Sequence, residues 1–205
     1  MFKLGTLFIL IMLCHTGKSQ VHGGLEQYYY SSPGSSVVVP KLYYQTTDNW
    51  LGEIRYNYEQ LETISFLAGK MFTNNKALSY SITPLAGVIW GKMKGGLIGS
   101  DMTLNYKHLF FSSEPQYTFS VEEKTENFFF SWSELGYDFT KMLYAGFALQ
   151  STHLYRSQSS WEPGIMMGLN YKNWTFPVYI FSPADENRNL VLGVNWEWEK
   201  SKQGN

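Results

Sequence analysis

A chain of 205 residues is long enough for one full domain, and a formal net charge of −1 without a basic stripe gives no footprint for a nucleic-acid partner. Aromatic residues make up 18% and charged residues only 16%, which favours strands over helices and is poor in charge for a water-facing surface. The one cysteine, Cys14, lies near the N-terminus, so disulfides cannot hold the remainder together.

Residues 1–19 read as a secretory signal. Met1-Phe2-Lys3 leads into the apolar block Leu7 to Leu13, and Gly17 and Ser19 stand at the two small-residue positions a signal peptidase reads. The block is well short of the ~20 apolar residues a membrane helix needs, and no later segment approaches that length. Leu13 is too large for a lipoprotein cleavage site before Cys14. If the mature chain enters a membrane, it does so as strands. The expected organisation is therefore signal 1–19, one β domain 20–198, and a polar tail 199–205.

Val21 to Gly24 reads as a short lead, Leu25 to Ser31 as a first strand, and Ser32-Pro33-Gly34-Ser35 as a turn. Val37 to Thr46 follows, with Val38, Pro40, Leu42 and Tyr44 on one face. From Asn49 the period-two alternation is clear: Trp50, Gly52, Ile54, Tyr56 and Tyr58 oppose Leu51, Glu53, Arg55, Asn57 and Glu59. Thr63 to Thr73 is a less regular strand, and Asn74-Asn75-Lys76 reads as a tight turn. In Ala77 to Trp90, Leu78, Tyr80, Ile82, Val88 and Trp90 oppose Ser79, Ser81 and Thr83. Beyond the loop Gly91 to Gly96, Ile98, Met102, Leu104, Tyr106 and Phe110 oppose Gly99, Asp101, Thr103, Asn105 and Lys107.

Tyr117 to Val121 is a strand leading to a charged loop at Glu122 to Asn127. Across Phe128 to Phe139 the apolar set changes parity, from Phe128, Phe130 and Trp132 to Leu135, Tyr137 and Phe139, which predicts a β-bulge near Ser133 and Glu134. Leu143 to Leu149 and Trp161 to Tyr171 alternate again, Trp174 to Phe181 is apolar on both faces, and Ser182 to Arg188 is a polar loop. Leu-Asn-Tyr-Lys occurs at 104–107 and at 169–172, each time on a strand heading for a predicted turn, and reads as similar local demands rather than a repeat. In the last run, Leu190, Leu192, Val194, Trp196 and Trp198 face one way, and Gly193, Asn195 and Glu197 the other.

That last run, with Gly193 followed by Trp196 and Trp198, resembles the C-terminal signal strand of bacterial outer-membrane β-barrels. It departs from the family at Val191, where a polar residue is usual, and in the tail after Trp198. The resemblance, with the alternation, implies an all-β, antiparallel transmembrane barrel of about twelve strands, with ten or eight as alternatives, since hydrocarbon leaves no place for an unpaired edge. With the C-terminus periplasmic, the connections near Asn74, Ser112, Thr140 and Asn173 are periplasmic, and those near Gln60, Lys94, Glu123, Ser157 and Asp185 face outward. Trp90, Trp132 and Trp161 then fall near outer strand ends, and Trp50, Tyr106, Tyr171, Trp174, Trp196 and Trp198 near inner ends, as two membrane-interface belts require. A soluble secreted or periplasmic barrel binding an apolar ligand shows the same alternation with the apolar face turned inward.

The inward set carries the candidate chemistry: Glu53, Arg55, Asn57, Asp101, Asn105, Lys107 and Glu162, with Lys70, Glu134, Asn170 and several Ser and Thr. Both charge signs occur in similar number, as in a salt-bridged filling or a narrow, weakly selective small-solute channel. A lipid-active hydrolase at His153 with Ser157 and Glu162 is a third reading, disfavoured because four residues of strand separate His153 from Ser157 by ~13 Å. No Cys or His cluster has metal-ligand spacing and no cofactor is expected. The expected partners are outer-membrane lipid and the barrel assembly machinery.

Overall fold

The computed structural model describes residues 21–156, 159–186 and 188–200. The expected signal 1–19 and most of the expected tail lie outside them. Among the described residues, thirteen strand segments form a single antiparallel sheet that closes on itself. They are β1 Val21–Ser32, β2 Ser35–Gln45, β3 Trp50–Tyr56, β4 Thr63–Lys70, β5 Phe72–Asn75, β6 Leu78–Gly91 and β7 Gly95–Tyr106. β8 Leu109–Ser120, β9 Phe128–Asp138, β10 Leu143–Leu154, β11 Ser159–Tyr171, β12 Trp174–Phe181 and β13 Asn189–Lys200 complete the order. Each strand pairs with its neighbours in sequence, and β1 pairs with β13 to close the ring. β4 and β5 are one stave: Gly69 faces Leu85 and Phe72 faces Ile82 in the same register along β6, and the ladder lapses at Lys70 and Met71, the Met71 N–H donating to the Asn49 carbonyl at 2.8 Å. The barrel thus has twelve staves, as the alternation and the family resemblance imply. Followed once around, the pairings accumulate a stagger of about 14 residues, the shear that tilts strands by roughly 40°.

One end of the barrel carries tight connections, including Lys76–Ala77, Lys107–His108 and Lys172–Asn173; the other carries the longer 57–62, 121–127 and 182–188 loops. The two Leu-Asn-Tyr-Lys segments do the same work at the tight-turn end. Lys107 and Lys172 both adopt φ 55°, and their Nζ atoms lie 5.3 and 5.4 Å from the ring centres of Tyr106 and Tyr171.

The outer face is a nearly continuous apolar coat. Val88, Phe147, Ile98 and Met167 stand well exposed, and so do Trp90 and Trp161 near the loop end and Trp50, Tyr106, Tyr171, Trp174 and Trp196 near the turn end. An apolar surface of that extent marks a lipid-facing band. The interior holds two buried apolar clusters. One contains Leu51, Leu67, Leu85, Ile89 and Leu97 with Met93 tucked in from the 92–94 connection; the other contains Ala148, Met166, Tyr179, Phe181 and Val191. Inward rings lie over glycines directly across the sheet, Tyr43 over Gly24, Phe110 over Gly136, Tyr144 over Gly168 and Phe181 over Gly164, so that a Cβ at any of these glycines would strike the ring.

Five local expectations are corrected. No bulge interrupts Ser133 and Glu134: β9 keeps one register with β8 and with β10 throughout, so Phe128, Phe130 and Trp132 point inward. Trp132 accordingly belongs to the interior, edge-on to Tyr179 at 4.8 Å between centroids, and not to an interface belt. The turn expected near Ser112 lies at Lys107–His108, which shifts parity and brings Phe110 inside against Tyr144. Asn74 and Asn75 belong to β5 with the turn following them, and the expected lead Val21 to Gly24 is already strand, paired on both sides from His22.

Candidate functional site

Alternation places Glu26 of β1, Lys41 of β2, Glu53 and Arg55 of β3, Asp101 of β7 and Glu114 of β8 on the inner wall, where β1, β2 and β3 face β7 and β8 across the lumen. They meet in one charged belt between the two apolar clusters. The Arg55 guanidinium gives its Nη2 to Glu53 at 2.6 Å and its Nε to the same carboxylate oxygen at 2.8 Å. Its Nη1 donates to Gln116 Oε1 at 3.0 Å, 61 residues away in sequence, and Asp101 lies 3.9 Å from Nη2. Lys41 Nζ reaches Glu114 at 3.3 Å, Glu53 at 3.8 Å and Glu26 at 3.9 Å.

The 57–62 connection completes the belt. Asn57 turns the chain with φ 58°, and its amide is committed to the loop: Nδ2 donates to the Val38 carbonyl at 3.0 Å and Oδ1 accepts the Glu62 N–H at 2.8 Å. That turn swings Tyr58 and Glu59 into the barrel. Tyr58 donates to Glu114 at 2.8 Å with the Arg55 guanidinium 4.5 Å from its ring centre, and Glu59 accepts the Ser65 hydroxyl. Glu59 Oε1 and Gln116 Nε2, both buried, make no hydrogen bond. Beside Arg55, Asp101, Glu114 and Gln116 the lumen narrows to a gap with essentially no room for a water molecule.

A second polar centre sits deeper in the aromatic cluster. Glu134 accepts the Trp132 indole N–H at 2.7 Å and the Tyr179 hydroxyl at 2.8 Å. Charged groups buried in a barrel interior cost more than an apolar filling of equal volume, and here they sit among buried Thr63, Ser65, Thr83 and Thr118. Their geometry therefore points to a lumen that has to be polar.

Of the residues expected inside, the structure brings Glu53, Arg55 and Asp101 into the belt and sets Glu162 apart near the loop end, accepting Asn189 Nδ2 at 3.1 Å. Asn57 organises a loop, while Asn105 and Lys107 stand exposed at the turn-end rim. Lys70 pairs across from Trp50 on the outer face, its Nζ 5.4 Å from that ring. Of the interface aromatics, Trp50, Trp90, Tyr106, Trp161, Tyr171 and Trp196 are exposed near strand ends, and Trp198 is half-buried across Gly23.

Glu26, Lys41, Tyr58, Glu59, Glu114 and Gln116 were not expected in the site. Lys41 opposes Pro40 and Leu42 in parity and was visible as an inward charge; Glu114 was hidden by the misplaced turn at Ser112, and Tyr58 by reading β3 straight through Asn57. Ser157 lies outside the described residues. His153 Nδ1 instead shares a hydrogen bond with Ser159 directly across the sheet on the outer face, while Glu162 points to the inner face and cannot orient that imidazole. Among the described residues no group of His, Cys, Asp or Glu could hold a metal ion.

No family model and no curated protein matches the chain in sequence. Solved structures do match in fold. The KdgM porin in complex with disordered oligogalacturonate superposes with a TM-score of 0.62 at 12% identity, covering 84% of this chain and 98% of that one. The NanC porin gives 0.58 at 10% identity, covering 89% and 100%. OccAB4 of Acinetobacter baumannii gives 0.52 at 12% identity, covering 91% of this chain and 63% of that one. The fold is that of closed porin-like β-barrels.

Proposed function

We propose that this chain is an integral outer-membrane barrel without enzymatic activity, serving as a narrow channel for small solutes. The observation that carries the reading is the charged belt across the lumen of a barrel whose outside is coated with apolar and aromatic side chains. A barrel that served only as a membrane anchor would be filled more favourably by apolar packing. The porins similar in fold support a channel, and the apolar exterior with aromatics near both ends supports a membrane location. In this orientation the tight turns are periplasmic and the longer loops extracellular. The belt is the constriction, with Met93 and the inward aromatics narrowing the passage around it. Purified, folded mature protein added to planar bilayers is expected to give discrete conductance steps; a folded barrel that stays silent overturns the channel reading.

A further inference from the structure

We infer that the constriction selects cations and repels anions, so that the solutes it passes are cationic or neutral. The inference rests on the channel reading above and adds the substrate class. The expectation from sequence was a lining of balanced charge, but Lys70 is on the outer face and Lys107 is at the rim over Tyr106. Among the described residues, what remains on the inner strand faces is Lys41 and Arg55 against Glu26, Glu53, Asp101, Glu114, Glu134 and Glu162, with Asp138 and the His22, Glu197 and Glu199 group toward the turn end.

The arrangement of these charges matters more than their number. The side chains of Lys41 and Arg55 are 6% and 2% exposed, sealed against the wall by their partners. Those of Glu26, Asp101 and Glu114 are 20%, 25% and 31% exposed. Water entering the barrel therefore meets carboxylates, with the cations behind them. Glu59 adds a further carboxylate to the interior. The residue is 9% exposed, its Oε1 accepts no hydrogen bond, and the nearest cation, Arg55 Nη1, is 4.0 Å away. Glu134 is held by an indole N–H and two hydroxyls, Tyr179 and Ser112, all neutral donors. In narrow pores the sign of the charges that face the water sets ion preference. Small amines and inorganic cations fit such a lining, whereas an acidic oligosaccharide such as the oligogalacturonate bound by one similar barrel would be repelled.

The test is the reversal potential of the full mature protein in planar bilayers under a tenfold KCl gradient. The expected result is potassium permeability exceeding chloride about threefold or more at low salt, shrinking at molar KCl as screening shortens the reach of the carboxylates. Glu114→Gln should lower the ratio by about half or more while current persists, and Glu162→Gln near the loop end gives a second reading if the first variant fails to fold. Current with a chloride preference, or a ratio near one that neither variant moves, overturns the selectivity and leaves the channel standing. Absence of current from folded protein overturns both.

Discussion

Arg55 is the residue on which the interior depends most heavily. Its side chain is nearly inaccessible, yet it touches Glu53, Gln116, Asp101 and the Tyr58 ring, and so ties β3, β7, β8 and the 57–62 connection together across the lumen. Removing one partner of a buried ion pair leaves the other charged and desolvated, which costs about 3–5 kcal/mol. Arg55→Met is therefore expected to destabilise the barrel by about that amount in urea unfolding from phospholipid vesicles. Adding Glu53→Gln should recover part of the loss, because the stranded carboxylate is then gone. Equal loss in the single and double variants would show that the pair is not coupled.

At the scale of elements, the cross-strand glycines explain how strands crowded with aromatics can close. Tyr144 of β10 lies over Gly168 of β11, where a methyl group would meet the ring and its hydroxyl. Gly168→Ala is expected to destabilise by about 1–3 kcal/mol through overpacking. The cost should fall when Tyr144 is also changed to Ala, since the neighbour that suffers the clash is absent; purely additive effects in the same unfolding assay would contradict this packing. Which strands were legible follows from the same chemistry. In β3, β6 and β13 the outer face is apolar or aromatic, and the inner face mixes polar residues with Leu51, Leu85, Ile89 and Val191, so a regular outer stripe suffices to assign both faces. In β9 the inner face carries Phe128, Phe130 and Trp132 and the outer face Phe129, Leu135 and Tyr137. Hydrophobicity cannot tell a ring facing lipid from a ring packed in the lumen, so the pattern alone implies a bulge that would keep all of them outside. The turn at Lys107–His108 was missed because Lys107 takes a left-handed conformation that glycine or asparagine ordinarily announces.

For the whole molecule, closure and coat belong together. Among the described residues the ring of staves is closed, with only the short β5 paired on one side alone near the turn end, and the apolar exterior with aromatics near both ends is the surface such a barrel needs. This global arrangement was readable from the chain because strand length, strand number and the apolar stripe all follow from residue order. The belt was readable only in part, because it joins Arg55 to Gln116 and Lys41 to Glu114 across the lumen, and such pairings depend on shear and tilt rather than on spacing. The most direct measurement is the gel mobility of the mature protein from washed outer membranes, with and without boiling in detergent. A membrane-fraction band that migrates faster unboiled than boiled is the predicted result, since a closed barrel resists detergent until heated. A protein recovered in the soluble fraction, with the same mobility before and after boiling, would contradict the account.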